Sequence, residues 1–175
     1  MKQPAQSILT RILVALAMIL SITPGWAQTD ASAKLKPMAD AYAQAWNTGN
    51  VKDLDAIVDQ NFVRHTSPAL PFSATGLDSL KRVIARLRAW YPDLHVTLTE
   101  EIYTGDKIVV RWQYSGTHSG VGLAAAKGKH VDATGISLFH VKSGKLAEEW
   151  VETDGLLTDQ QLGFTVMPPA EMKQK

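Results

Sequence analysis

The stretch Lys129–Asp154, KHVDATGISLFHVKSGKLAEEWVETD, decides the fold. β-Branched, apolar and aromatic residues recur up to Val141, and a second apolar run begins at Leu146. The residues between them, 142–144, are Lys, Ser and Gly, which favour a turn. The pattern therefore predicts a β-hairpin. Two strands cannot bury themselves, so we expect more strands beside the hairpin and an apolar layer across one face.

The second strand of this hairpin carries a candidate site. Trp150, Glu152 and Asp154 are two residues apart, so their side chains share one face of the strand. If Trp150 points into a core, both carboxylates face the same enclosed space. We therefore look for chemistry at this end of the strand.

Upstream of the hairpin, the periodicity predicts three helices. The first has apolar residues from Leu35 to Trp46 at three-and-four spacing and ends at 47–49. Asn50 can cap a second, shorter helix that extends to Val58. A third helix is predicted over about Leu77–Trp90. The segment 61–71 contains two prolines and is expected to be an irregular connection.

The remaining elements are strands and a closing helix. Alternation predicts a strand around 94–98 and another over 107–116, in which Ile108, Val110, Trp112 and Tyr114 share the apolar face. The small-residue segment 116–128 is long enough to close over a cavity mouth. Residues 155–162 predict one or two final helical turns. The sum is an α+β fold, with three helices on one side of a strongly curved, mostly antiparallel sheet that encloses a pocket.

The N-terminus has the pattern of a secretory signal peptide. Lys2 and Arg11 precede a mainly apolar run over 12–22, and Pro24, Gly25, Trp26 and Ala27 follow it. The run is too short to span a bilayer, although an uncleaved anchor is the alternative interpretation. Cleavage after Ala27 would leave one domain over 28–166 and a loose tail over 167–175. We therefore expect a periplasmic or secreted protein.

Composition excludes several classes of chemistry. The chain has no Cys, which excludes disulfides, thiol catalysis and Cys-based metal sites. None of the five His residues forms an i, i+4 pair, so no metal site is predicted. The charge is nearly balanced, at +1 for the full chain, which gives no indication of nucleic-acid or membrane-surface binding. Phosphate-loop, nucleophile-elbow and dinucleotide-binding motifs are also missing from the sequence.

Asp154 is the main candidate for proton transfer. A carboxylate beside Trp150 and ahead of two leucines would be poorly solvated, which raises its pKa towards the range of a general acid or base. Glu152 would add to that shift by like-charge repulsion. Arg111 could instead neutralise either carboxylate and lower the pKa. A structural role as the N-cap of the last helix is equally compatible with the position.

Further residues are candidates for ligand contact. His118 and His65 lie in segments expected to be irregular, near the predicted mouth of the pocket. Either side chain could touch a ligand or simply hold its own loop. The candidate ligand-contacting residues are Tyr42, Trp46, His65, Arg111, Trp112, Trp150 and Glu152.

Three segments together resemble a known family. They are NFVRHTSP from Asn61, AWYPDLHVTLTEEIYTGDKIVVRWQYSGTHSG from Ala89, and GKHVDATGISLFHVKSGKLAEEWVETDGLLTDQQLG from Gly128. From about Ala39 to Gly163 the chain resembles a SnoaL-like polyketide cyclase domain, also called ester cyclase-like, of the nuclear transport factor 2-like superfamily.

The resemblance implies a fold and a mechanism. The family fold is a cone of three helices against a curved, mostly antiparallel sheet. Characterised members close a polyketide ring by an intramolecular aldol reaction without metal or cofactor. A pocket aspartate is the acid/base, and the family motif of Trp followed four residues later by Asp places it at Asp154. His118 and His65 match pocket-lining positions.

The leading hypothesis is an exported, cofactor-free cyclase, isomerase or lyase acting on a small hydrophobic carbonyl compound. Asp154 would be the general acid/base, and His118 would steady the developing oxyanion. The alternative is an exported, non-catalytic binding module for a small apolar ligand. A third hypothesis is a homodimer formed through the outer sheet face, since both faces of the strand over 131–141 carry apolar residues.

Overall fold

The computed structural model describes residues 24–67 and 72–165, with side chains described from residue 33 onward. Its helices are α1 (Pro24–Thr48), α2 (Leu54–Ile57), α3 (Leu77–Trp90) and α4 (Gly155–Leu162), with 3-10 turns at Val51–Asp53 and Ala124–Ala126. Its strands are β1 (Val58–His65), β2 (Ala74–Thr75), β3 (His95–Thr104), β4 (Lys107–Thr117), β5 (His130–Lys142) and β6 (Lys145–Thr153). The predicted α+β class is confirmed.

The helices form where the apolar periodicity predicted them. In α1 the buried stripe runs from Leu35 through Tyr42 to Trp46, and Gly49 ends the helix with φ +73° and a hydrogen bond to Ala45. The buried face of α3 contains Leu77, Leu80, Val83 and Ile84. Both stripes pack on one face of the sheet and form a single apolar core with it.

The described strands form one sheet in the order β2-β1-β6-β5-β4-β3. All neighbouring pairs are antiparallel except β1 and β6, which are parallel. The predicted hairpin joins β5 and β6 through a two-residue turn, Ser143 and Gly144, both with positive φ. Such turns match the natural twist of the flanking strands.

The segment predicted as an irregular connection is partly a strand. Residues 58–65 form β1, so Val58 belongs to a strand and the short helix ends at Ile57. Val58 and Phe62 are fully buried, while the polar residues between them face outward. The strand exists because β6 pairs with it, and local sequence does not reveal such a distant partner. The prolines at 68 and 71 lie outside the described residues.

A β-bulge sets which side chains of β6 face the helices. Val141 pairs with Leu146, but the preceding residue, His140, pairs with Glu148, so Ala147 is one extra residue on β6. Beyond the bulge the inward positions are Glu149, Val151 and Thr153. The prediction that Trp150, Glu152 and Asp154 face the core is therefore wrong, because the extra residue reverses the alternation.

Two predicted segments fall largely outside the described residues. The predicted signal peptide of residues 1–27 overlaps them only at 24–27, the start of α1, and the tail over 167–175 lies wholly outside. Both stay predictions. No helix in the described ranges is both long enough and apolar enough to cross a membrane.

Candidate active site

A cavity of about 510 Å³ lies between the helices and the inner face of the sheet. This size is within the range that holds a small organic ligand. Its walls are mostly apolar and aromatic. They include Tyr42, Trp46, Phe72, Leu87, Trp90, Tyr91, Leu94, Val96, Leu98, Val110, Trp112, Tyr114, Phe139 and Leu162. The polar groups among these walls are few, so each one can fix the orientation of a ligand.

The charged centre of the cavity wall is Glu149 on β6. Its side chain is only 2% exposed. Its Oε2 accepts from the Tyr42 hydroxyl at 2.7 Å and from Arg64 Nε at 2.9 Å, and its Oε1 accepts from the Ser137 hydroxyl at 2.9 Å. All four residues line the cavity. A carboxylate has about four acceptor positions, so three donors leave room for one more partner.

Arg64 on β1 balances the charge of Glu149. Its side chain is 9% exposed, and its Nη1 donates to the carbonyl of Phe72 at 2.7 Å. Its guanidinium also lies 5.2 Å from the ring centre of Trp46. The ion pair therefore sits between three elements, β1, β6 and α1, where burial makes an unpaired charge costly.

Two neighbours complete the network around Glu149. Burial, and then the nearby negative charge of Glu149, raise the pKa of Tyr42 well above its usual range, so its hydroxyl stays protonated and donates. The indole of Trp112 donates to Ser137 at 3.0 Å, which orients that hydroxyl towards Glu149. Each member of the network thus has a hydrogen-bond partner, as a buried polar group requires.

His118 occupies a second polar position on the cavity wall. It is 4% exposed and packs edge-on against Tyr91 with ring centroids 5.1 Å apart. Its Nδ1 accepts from the backbone of Gly120 at 3.0 Å. In the neutral ring this leaves the proton on Nε2, and no side chain of the described residues is hydrogen-bonded to Nε2. His118 can therefore donate to a group inside the cavity.

Asp154 lies at the end of β6 and outside the cavity lining. Its side chain is exposed, and its Oδ1 accepts from the backbone of Leu157 at 2.9 Å. Of the two roles left open by the sequence, the structure shows the N-cap of α4. The expectation that Asp154 is desolvated inside a pocket is wrong, because the bulge turns this end of β6 outward. Its predicted catalytic role is not tested by this geometry.

Three other candidates lie on the outer face of the sheet. Trp150 is 37% exposed and stacks on His65 with ring centroids 4.9 Å apart. His65 also contacts Glu148 at 2.9 Å, and Glu152 is exposed. None of the three candidates, Trp150, His65 and Glu152, lines the cavity. Trp150 and Glu152 point away from the cavity because the extra residue Ala147 reverses the alternation of β6.

The remaining candidates divide between the two faces. Arg111 is exposed on the outer face, where its Nη1 donates to Thr99 at 3.2 Å, so it does not neutralise a cavity carboxylate. Tyr42, Trp46 and Trp112 line the cavity together with His118. These four predicted residues thus line the same cavity as Glu149, which sequence reasoning missed.

One signal in the sequence could have identified Glu149. Leu146 and Val151 are both apolar but five residues apart, an odd separation that cannot place both on one face of a regular strand. Both are buried. Recognising the irregularity would have placed Glu149 and Val151 on the buried face that also carries Leu146. Arg64 and Ser137 carry no comparable signal, because their importance depends on strand pairing.

The described residues contain no group of three His, Asp or Glu side chains placed to hold a metal ion.

Known proteins with a similar sequence and structure indicate the family of this chain. Residues 36–162 match the family model described as SnoaL-like polyketide cyclase. A protein of Bacillus cereus ATCC 10987, provisionally named a polyketide cyclase, is 31% identical, with a TM-score of 0.61, over 72% of this chain and 78% of its own. TsrD from Streptomyces laurentii is 27% identical, with a TM-score of 0.66, over 75% of this chain and 96% of its own. No curated protein matches.

A more distant neighbour supports the fold alone. A protein of Catenulispora acidiphila DSM 44928 with a ketosteroid isomerase-like fold is 18% identical, with a TM-score of 0.63, over 75% of this chain and 97% of its own. The fold class is thus the nuclear transport factor 2-like cone, as predicted. The chain belongs to the SnoaL-like polyketide cyclase family, which confirms the resemblance found in the sequence.

Proposed function

We propose that the protein is a cofactor-free acid/base enzyme of the cyclase or isomerase type. Its substrate would be a small hydrophobic carbonyl compound held in the 510 Å³ cavity. The observation that carries the proposal is Glu149, a buried carboxylate on a mostly apolar cavity wall. Family membership supports the reaction class but does not fix the substrate.

The proposed chemistry begins with proton transfer to Glu149 from the carbon beside the substrate carbonyl. The enolate oxygen that forms accepts a hydrogen bond from Nε2 of His118. In a cyclisation, the enolate carbon then attacks a second carbonyl of the same molecule, and the alkoxide that forms takes the proton back from Glu149. In an isomerisation, Glu149 returns the proton to a different carbon of the conjugated enolate. Arg64 and the hydroxyls of Tyr42 and Ser137 hold the carboxylate in one orientation throughout.

The first experiment tests which carboxylate transfers the proton. Hydrogen–deuterium exchange beside the carbonyl of phenylacetone in D2O, followed by NMR, detects enolisation without knowledge of the natural substrate. We expect Glu149→Gln to slow the exchange by about 10²–10⁴-fold. Asp154→Asn tests the role predicted from the sequence, and Asn remains a good helix cap. Loss of exchange in Asp154→Asn, with Glu149→Gln active, would reassign the base to Asp154.

A folding control is needed because Glu149 is buried in a polar network. Glu149→Asp keeps the charge but withdraws the carboxylate by one methylene, so it should fold and still exchange slowly. Circular dichroism and a cooperative unfolding transition identify any variant that fails to fold. A folded Glu149→Asp with wild-type exchange would contradict the need for precise placement of the base.

The second candidate function is a non-catalytic binding module. The observation favouring it is that three of the acceptor positions of Glu149 are already occupied, which leaves about one position to accept a proton from a substrate. A binding module would take up phenylacetone, detected by chemical-shift changes near Trp112, without any enzyme-dependent exchange. Enzyme-dependent exchange that is lost in Glu149→Gln would reject this candidate.

We also propose that the protein is exported, on the strength of the pattern in residues 1–27. Cleavage after Ala27 would remove only the start of α1 and leave the buried stripe that begins at Leu35. Expression with the complete N-terminus in a bacterial host, followed by mass measurement of the periplasmic product, tests this. A mature chain beginning at Gln28 is expected, and an uncleaved chain held in the membrane fraction would support the anchor interpretation.

A further inference from the structure

Tyr91 places on the cavity wall a phenol that the proposed acid/base chemistry does not use. Its side chain is 4% exposed, and it lines the cavity together with His118. None of the described residues forms a hydrogen bond with its hydroxyl. Every fully buried side-chain nitrogen or oxygen of the described residues has a hydrogen-bond partner. The hydroxyl of Tyr91 is therefore not sealed within the protein, and the open space that it borders is the cavity.

This hydroxyl keeps its proton at neutral pH. Burial, and then the nearby acidic groups of Tyr114 and Asp159, raise the pKa of Tyr91 to about 12. The side chain of Asp159 is exposed and does not hydrogen-bond to the phenol. The phenol proton is therefore available to an acceptor inside the cavity.

The other two tyrosines of the cavity wall have committed their protons. Tyr42 donates to Glu149 at 2.7 Å. The hydroxyl of Tyr114 lies 2.6 Å from that of Thr158, which itself donates to a backbone carbonyl at 2.9 Å, so Tyr114 is the donor of this pair. Among the tyrosines that line the cavity in the described residues, Tyr91 is thus the one with a proton to offer a ligand.

The fold holds Tyr91 beside the second available donor, Nε2 of His118. The two rings pack edge-on, with centroids 5.1 Å apart. Tyr91 follows the last residue of α3, Trp90, whose carbonyl accepts from the backbone of Ser119 at 2.7 Å. Gly116 allows the close approach, because a Cβ there would lie 3.0 Å from Cβ of Tyr91. Both donors are therefore fixed before a ligand binds, as a site for a polarised oxygen requires.

We propose that the hydroxyl of Tyr91 and Nε2 of His118 together bind the carbonyl oxygen of the substrate. A carbonyl oxygen has two lone pairs and can accept from both groups. When Glu149 takes the proton, negative charge develops on this oxygen and both hydrogen bonds strengthen. The assignment of a carbonyl rests on the proposed function. A phenylalanine would fill the same space without the cost of desolvating a hydroxyl, so the hydroxyl is explained by an acceptor on the ligand.

Two ligands of the same shape test this hydrogen bond. Phenylacetone has a carbonyl oxygen where methallylbenzene has a methylene group, so only phenylacetone can accept from Tyr91. Quenching of tryptophan fluorescence gives the Kd of each ligand for the wild type and for Tyr91→Phe. The cost of removing each ligand from water is the same for both proteins and cancels in the comparison. We expect the preference for the ketone to fall by about fivefold in Tyr91→Phe, the effect of one neutral hydrogen bond.

The deuterium exchange of phenylacetone supplies a second measurement. Loss of one donor to the developing oxyanion should slow the exchange by at least about tenfold in Tyr91→Phe. Tyr103→Phe is the matched control, because Tyr103 is also 4% exposed but donates to Glu101 and does not line the cavity. It should keep the ketone preference and the exchange rate of the wild type. Urea unfolding should show no loss of stability in Tyr91→Phe, since the lost hydroxyl has no partner in the protein.

The two measurements separate this inference from the proposed function. A folded Tyr91→Phe with unchanged ketone preference would overturn the role of Tyr91, even if the wild type catalyses exchange. A wild type that binds neither ligand would overturn it as well. A ketone preference that depends on Tyr91, without exchange by any variant, would support the role of Tyr91 and reject the acid/base function. A merely structural tyrosine would lower stability when replaced and leave the ketone preference unchanged.

Discussion

Removing the cation of the buried ion pair should strongly destabilise the protein. Arg64→Met keeps an unbranched side chain but leaves Glu149 with only the hydroxyl donors of Tyr42 and Ser137. The side chains of the pair are 9% and 2% exposed, so the pair has little contact with bulk solvent. The free energy of unfolding should fall by about 3–5 kcal/mol, the usual result of leaving a buried charge unpaired.

The double variant separates the charge effect from the packing effect. Arg64→Met combined with Glu149→Gln removes both charges, and a buried pair replaced on both sides is often close to neutral. We expect the double variant to recover about 2–3 kcal/mol relative to the sum of the single variants. Arg64→Lys should fall between the wild type and Arg64→Met, because Lys keeps the charge but cannot bond Glu149 and Phe72 together.

Urea unfolding followed by tryptophan fluorescence measures these differences. An unchanged dependence on urea concentration would show that the variants differ in stability and not in compactness. A loss below about 1 kcal/mol for Arg64→Met would refute the reasoning, since that is the range of solvent-exposed pairs. Strict additivity of the two single variants would also refute it, because the residues would then not be coupled.

Two further predictions concern packing and pH. A Cβ at Gly135 would lie 2.3 Å from the ring of Trp112, so Gly135→Ala should lower the free energy of unfolding by about 1–3 kcal/mol. Gly155→Ala is the control, because a Cβ there meets open space and should change the free energy of unfolding by less than about 0.5 kcal/mol. Thermal unfolding measures both differences. Burial raises the pKa of Tyr42 well above its usual range and that of Tyr91 to about 12. As pH rises, the unfolded chain therefore loses these protons before the folded protein does. The free energy of unfolding should fall between about pH 10 and 12, by about 1.4 kcal/mol per pH unit for each tyrosine. The absorbance of the folded protein at 295 nm, which reports ionised tyrosine, should stay flat below about pH 10. Ordinary tyrosine titration near pH 10 in the folded protein would contradict the second prediction.

The local periodicity of apolar residues was enough to predict most of the helices and strands. The stripes of α1 and α3, the strands β3 and β4, and the hairpin of β5 and β6 each bury or turn on residues that follow a simple spacing. The strand β1 could not be predicted in the same way, because its stability comes from parallel pairing with β6. The family resemblance supplied the arrangement that periodicity leaves open.

The site was predicted in part. Four aromatic or histidine positions of the cavity wall were identified, because apolar faces and a loop near a cavity mouth leave a signal in the sequence. The carboxylate was assigned to Asp154, since Trp150 looked like an inward residue. Trp150 is instead half of a stacked pair with His65 on the outer face. A large aromatic residue marks a buried or an interface position equally well, and only tertiary pairing distinguishes the two.

The bulge at Ala147 decides which carboxylate enters the cavity, and a deletion tests that conclusion. Without Ala147, Leu146 would be followed by Glu148 in regular alternation, and Glu149 would keep its inward position opposite Phe139. Deletion of Ala147 should therefore leave a folded protein with a cooperative urea transition. Deletion of Val151, beyond the bulge, must shift one end of β6 to the wrong face and should abolish that transition. Equal tolerance of both deletions would show that the bulge does not set the faces of β6.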